Sequence, residues 1–164
     1  MAVSKLNPVS GGKTRRITTL TSGTSWTVPA GVEFVNVTLR GAGGGGGGAT
    51  IASNHLGGYG AGGAVISSTL TTTPGASITY AIGAGGVAGQ QVNNANGQTG
   101  GTTTFTGATS ASGGVGGASN NTEMSPGASL PNAQNNGGNG ARKNSADALG
   151  GTGGSGSIDI EYWI

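Results

Sequence analysis

Apolar and polar residues alternate with period two in several short stretches of this chain, and long glycine-rich tracts separate those stretches. Val35, Val37 and Leu39 share one face while Phe34, Asn36, Thr38 and Arg40 share the other, which predicts a half-buried strand over Val32 to Leu39. Ile158, Ile160, Tyr162 and Ile164 alternate in the same way with Asp159, Glu161 and Trp163, giving the sharpest strand signal in the sequence. Weaker patterns predict strands over Ile17 to Thr21, Ser25 to Val28, Ala64 to Leu70, Ser77 to Ile82 and Thr102 to Thr106. Thr73-Pro74-Gly75 suits a type II turn, and the strands on either side of it are expected to pair as a hairpin. The last strand has to find partners among the strands before residue 106, so the chain between them leaves the sheet and returns.

That intervening chain poses the main question. Six consecutive glycines, Gly43 to Gly48, follow directly on the strand ending at Arg40, and further glycine clusters run from Gly83 to Gly101 and from Gly107 to Gly156. Glycine has no side chain to bury and loses more conformational freedom on ordering than other residues. Such tracts are either loose tethers or extended, left-handed, threefold helices whose bare backbones pack side by side, the glycine analogue of polyproline II. Side by side they can exchange N–H to O=C bonds that a lone helix of this type cannot make. Fifty structureless residues do not suit a compact domain, and a disordered tail has no reason to end in a sharply alternating strand. The expectation is therefore an all-β protein, with a small β-sandwich-like base and a glycine-rich lobe of packed polyglycine II helices and irregular loops. Trp26, Phe34, Tyr80, Phe105, Tyr162 and Trp163 are expected to anchor its apolar part.

Composition narrows the class. The chain has 164 residues with 38 glycines, 7% charged residues and no cysteine. Its low net charge of +2 and clustered β-branched residues argue against intrinsic disorder, and the lack of a sustained Gly-X-Y phase excludes collagen. No apolar run approaches the roughly 18 residues of a membrane span, and the start of the chain has no signal-peptide core. A soluble protein made in a cytoplasm, without membrane insertion or disulfides, is expected. Charge is uneven: Lys5, Lys13, Arg15 and Arg16 lie in the first sixteen residues with no acid among them. Residues 1–16 are accordingly read as a basic attachment arm and 17–164 as one glycine-rich β domain, with 107–156 as its lobe. Docking into a larger assembly suits the arm better than nucleic acid, because no aromatic residues interleave its charges.

Catalytic chemistry finds little support. Gly41 to Gly46 matches G-x-G-x-x-G after a strand, but no helix-forming stretch follows and no acid lies about twenty residues on. Gly12-Lys13-Thr14 lacks the leading glycine of a phosphate loop. His55 is the single histidine, the acids are scattered, and Asp159 and Glu161 read as a solvated strand face. No enzyme activity, metal or cofactor is expected. What remains is a set of polar tips: Asn54, His55 and Tyr59; Gln91, Asn93, Asn94 and Asn96; Asn121, Asn135 and Asn136; and Arg142 with Lys143. Amide side chains offer donors and acceptors in the combination that sugar hydroxyls need, and Tyr59 or His55 could stack on a ring face. These are the candidate receptor-binding residues, and Lys5, Lys13, Arg15 and Arg16 the candidate docking residues.

Trp26-Thr27-Val28-Pro29-Ala30-Gly31, Val35 to Gly46, Thr73-Pro74-Gly75, Ile82 to Gly86 and Gly153 to Tyr162 together resemble the glycine-rich domain of bacteriophage tail fibre and virion proteins. The lobe also looks like the polyglycine sandwich of T-even-like phage tip adhesins, although this chain is shorter. The resemblance implies a virion location at the tail, a distal host-facing role and a homotrimer. Expected partners are other virion proteins through the arm, and a host surface glycan or outer-membrane protein through the loops. A head fibre or capsid decoration protein is the alternative. An ice-binding protein is a remote one, since Thr71 to Thr73 and Thr102 to Thr104 are contiguous and make no every-third-residue threonine rank.

Overall fold

The structure, a computed structural model, describes residues 12–49, 56–90, 95–119 and 150–164. Seven strands form in chain order: β1 (Arg15–Leu20), β2 (Ser25–Thr27), β3 (Phe34–Arg40), β4 (Val65–Thr71), β5 (Ser77–Ala81), β6 (Thr104–Phe105) and β7 (Ser157–Trp163). No α-helix occurs among the described residues. One sheet has the order β1-β7-β3-β4 and the other β2-β5-β6, and every pairing is antiparallel. The molecule is thus all-β, with a small sandwich-like base.

Alternation places the core between the sheets. Val35, Val37 and Leu39 of β3 and Ile158 and Ile160 of β7 are fully buried on one side, facing Trp26, Tyr80 and Phe105 of the other sheet. The Trp26 ring lies 5.9 Å from Tyr162 and 6.4 Å from Phe105, while Tyr80 stacks on Phe105 at 6.4 Å. Tyr80 donates its hydroxyl proton to the Ser22 carbonyl at 2.7 Å, so its polar end is satisfied where its ring is buried. Gly23 has φ +93°, and a Cβ there would stand 2.6 Å from that hydroxyl, so both backbone conformation and space call for glycine.

Three expectations from the sequence are corrected. The strands flanking Thr73-Pro74-Gly75 do not form a hairpin: β4 pairs with β3, and β5 with β2 and β6. The turn itself is type II, with Gly75 at φ +81° and the Ala76 N–H bonded to the Thr73 carbonyl at 3.0 Å. Turns of this hand splay the strands they join, and here the chain crosses from one sheet to the other. Phe34 and Trp163 are not core anchors but stand out from the sandwich, 59% and 38% exposed. Their own alternation explains this, because they share a face with Asn36 and Glu161 and not with the valines and isoleucines. Ile164, placed on the core face by its pattern, lies beyond the core and is half exposed.

Candidate functional site

The lobe is built from six extended segments: rod 1 (residues 41–49), rod 2 (57–64), rod 3 (83–90), rod 4 (95–103), rod 5 (111–118) and rod 6 (150–156). None of the glycines in these six described rods has a positive φ, so glycine is present there for its missing Cβ and not for a left-handed backbone. Bonding follows a period of three along rod 1. Gly41, Gly44 and Gly47 donate to Ala64, Ala61 and Gly58 of rod 2. Ala42, Gly45 and Gly48 donate to Gly101, Gln98 and Ala95 of rod 4, and Gly43 and Gly46 donate to Gly154 and Gly151 of rod 6. In return the Gly43 and Gly46 carbonyls accept from Gly86 and Gly89 of rod 3, and those of Ala42 and Gly45 from Gly114 and Gly117 of rod 5. These bonds measure 2.8 to 3.1 Å, ordinary N–H to O=C lengths. A threefold helix whose every residue turns to a different neighbour is the polyglycine II arrangement.

The outer rods bond to one another in the sequence 2-5-4-3-6 around rod 1: Ala61 to Val115, Gly100 to Gly114, Gln98 to Val87, and Gly153 to Gly86. Close approach is what glycine supplies. A Cβ on Gly45 would lie 2.1 Å from the Val87 carbonyl oxygen, and one on Gly44 would lie 2.2 Å from that of Val115. Every residue of rod 1 is buried. Where lobe meets base, the fully buried Thr103 donates its hydroxyl to the Arg40 carbonyl at 2.7 Å and accepts from the Gly83 N–H at 3.1 Å, so one side chain ties the roots of rods 1 and 3.

Rods 1, 3 and 5 lead away from the sheets and rods 2, 4 and 6 lead back, so the molecule has two ends. The outer ends of the rods are marked by residues 49, 56, 90, 95, 119 and 150. Of the candidate receptor-binding residues, Tyr59 and Asn96 are described. Asn54, His55, Gln91, Asn93, Asn94, Asn121, Asn135, Asn136, Arg142 and Lys143 lie outside the described residues. Rod 2 carries Tyr59, half-buried, beside rod 5, with Gly58 bonded to Ala118 at 2.7 Å. Exposed Asn96 accepts the Ser119 N–H through its Oδ1 at 2.7 Å and so ties the outer ends of rods 4 and 5.

The opposite end carries the attachment candidates. Lys5 lies outside the described residues. Arg15 and Arg16 belong to β1, and Thr14 exchanges backbone hydrogen bonds with Ile164, so these two arginines are part of the sheet. Arg15 is ion-paired with Glu161, and Arg40 with Asp159 at 2.6 Å, so these acids are not simply solvated. Burial pushes the Asp159 carboxyl up, but hydrogen bonds from Thr19 and Arg40 and the Arg40 charge outweigh it and hold the group below its ordinary pKa. Lys13, Glu33, Phe34 and Trp163 line a cleft of about 200 Å³, and exposed Ile17 stands on the same sheet face. Sequence reasoning missed this aromatic cleft, although the strand alternation marks both rings as outward. Among the described residues no group of three or more His, Cys, Asp or Glu side chains could hold a metal ion.

Fold and lobe together define a class: a β-sandwich base carrying a bundle of hydrogen-bonded glycine rods, open to loop insertion at one end. The glycine-rich domain family model matches residues 18–160, and the chain belongs to that family. No curated protein matches it.

Proposed function

We propose that this is a bacteriophage virion structural protein, a tail-fibre or tail-tip component that displays host-recognition loops and binds without catalysis. The observation that carries the reading is that the described rods end together on the side away from the sheets, at residues 49, 56, 90, 95, 119 and 150. The described residues that flank these stretches lie at the ends of the rods remote from the sheets, the stretches themselves are polar and amide-rich in sequence, and glycine and alanine occupy the packed interior. Asparagine and glutamine supply paired donors and acceptors for sugar hydroxyls, and His55 and Tyr59 a stacking surface. At the other end, residues before β1 and the Phe34–Trp163 cleft offer a mixed basic and aromatic surface for neighbouring virion proteins, or for the further copies of a trimer.

Purified protein incubated with a panel of Gram-negative cells and with isolated outer-membrane glycans tests this. Adsorption to particular strains is expected. It should be lost in the triple variant His55→Ala/Asn93→Ala/Asn94→Ala at unchanged melting temperature. A second reading, a head fibre or capsid decoration protein, is favoured by the aromatic cleft, which can dock to a shell whatever the loops do. Absence of binding to every strain, with the chain mapped to the head of a virion, would replace the first reading by the second.

A further inference from the structure

The outer face of the β1-β7-β3-β4 sheet is mostly polar, and its polar side chains pair with one another. Thr38 bonds to Ser67, Thr69 donates to Asn36, and Asp159 is held by Thr19 and Arg40. Apolar side chains gather instead toward the end remote from the lobe. Three of the six large apolar residues exposed among the described residues, Ile17, Phe34 and Trp163, lie there. Phe34 and Trp163 share the cleft of about 200 Å³, and Ile17 is diagonal to Trp163 across the β1–β7 ladder. Together they present on the order of 300 Å² of apolar side chain, a size at which an exposed patch marks an interaction surface.

The charges beside the rings are of opposite sign and stand on opposite sides. β7 runs between β1 and β3, so Lys13, just before β1, lies on one side of Trp163, and Glu33, just before β3, lies on the other. Both side chains are exposed. A surface that is apolar in the middle, positive on one flank and negative on the other complements a copy of itself. Turned face to face about a two-fold axis parallel to β7, two copies bring Lys13 of each opposite Glu33 of the other, and Ile17 of each to the Phe34 side of the other. About an axis across the strands, Lys13 would share a flank with Lys13 and Glu33 with Glu33. The charge pattern selects the first arrangement.

We propose that this face pairs two copies of the chain, with Lys13 opposite Glu33 at both flanks and the Phe34 and Trp163 rings between them. The patch is small for a protein interface, so the pair is weak and reversible on its own. Rod 1 leaves β3 at the end opposite Phe34, and the axis runs along the strands, so both lobes point the same way. Pairing therefore sets two groups of rod ends side by side, whatever those ends bind.

Sedimentation of the full chain from about 10 µM to about 1 mM tests the pairing. A reversible monomer–dimer equilibrium is expected, and Phe34→Ser should abolish it. Lys13→Glu and Glu33→Lys should each weaken the dimer at least about tenfold, because each leaves like charges facing at both flanks. Mixed in equal amounts, those two variants should form a heterodimer tighter than either makes alone, since every flank then joins opposite charges. Both positions are exposed, so the melting temperatures should match the parent and separate lost pairing from lost fold. A monomer throughout that range would overturn the proposal and leave the cleft to a different partner. So would a dimer or larger oligomer indifferent to both charge variants and to their mixing.

Discussion

The base and the lobe are both tightly packed, by opposite means. In the base, Leu39, Ile158, Ile160 and Phe105 fill the space between two sheets, and stability comes from apolar area removed from water. In the lobe, side chains are excluded from the interior so that backbones can touch, and the cohesion is a lattice of main-chain hydrogen bonds. Each such bond contributes only about 0.5 to 1.5 kcal/mol net, against about 1 to 2 kcal/mol of backbone entropy per ordered residue. The lobe therefore depends on the base, which fixes both ends of each out-and-back pair of rods. Losing atoms should harm the base, and gaining atoms should harm the lobe.

One pair of substitutions tests that opposition most directly. Leu39→Ala leaves a cavity beside Ile158 and Ile160 and should cost about 2 to 5 kcal/mol. Gly45→Ala adds a single methyl, yet it places a Cβ 2.1 Å from the Val87 carbonyl oxygen, in backbone that has no flexible side chain to yield. It should cost about 3 kcal/mol, at the upper end for overpacking. Gly12→Ala is the control: it is exposed, no atom lies within 4 Å of the added Cβ, and its φ is not positive. That change should be neutral or stabilise by about 0.4 to 1 kcal/mol through the unfolded chain. Chemical denaturation of the three variants gives the comparison, and a Gly45→Ala protein as stable as Gly12→Ala would end the idea of a close-packed lobe.

At the junction the expected effect is smaller and its form is informative. Thr103→Val keeps the shape of the side chain but strands the Arg40 carbonyl and leaves the Gly83 N–H without its hydroxyl acceptor. A buried polar group left unpaired costs about 1 to 3 kcal/mol. If Thr103 couples the two regions, amide exchange should quicken along rods 1 and 3 while β3 and β7 stay protected. Uniform quickening through the base would mean instead that the residue serves the sandwich alone.

The same opposition explains what could be read from the sequence. Strands were legible because their side chains alternate: β3 and β7 lie within a few residues of their expected positions, and β7 pairs with earlier strands β1 and β3. Partner choice was less legible. The turn at Thr73–Ala76 was recognised, but the sheet switch it makes lies in the long-range pairing of β4 with β3 and of β5 with β2 and β6, which no local pattern announces. Phe34 and Trp163 were misplaced because aromatic character was given more weight than alternation. In the rods, glycine tracts carry no side chains from which neighbour or register could be read. Which rod lies beside which follows from the three-residue phase of the bonding, visible only in three dimensions. Of the recognition candidates, Asn96 shows why single residues stay ambiguous, since its side chain already holds Ser119.

Acidification offers the mildest test, and it separates the regions by charge. The described rods contain no Asp, Glu, Lys, Arg or His, whereas the outer face of the base carries the Arg15–Glu161 and Arg40–Asp159 pairs. Asp159 on β7 accepts from Thr19 of β1 at 2.7 Å and from Arg40 of β3 at 2.6 Å, so its ionised form bridges three strands. Its pKa is lowered in the folded chain, so folding favours the carboxylate. The stabilisation is then fully present above the ordinary value near 3.9 and is lost as pH falls through the depressed folded value. Asp159→Asn should be less stable than the parent at pH 7, by no more than about 1 kcal/mol for a partly buried pair at the surface of the sheet. The difference should shrink as pH drops below about 4, and thermal melts of the two proteins from pH 7 to pH 2.5 would follow it. The cost of Gly45→Ala, measured across the same series, should not change with pH, because none of the described rods packed around rod 1 carries an acid or a histidine. A Gly45→Ala cost that fell together with the Asp159 contribution would show the lobe to be held by the charges of the base, and not by its own backbone lattice.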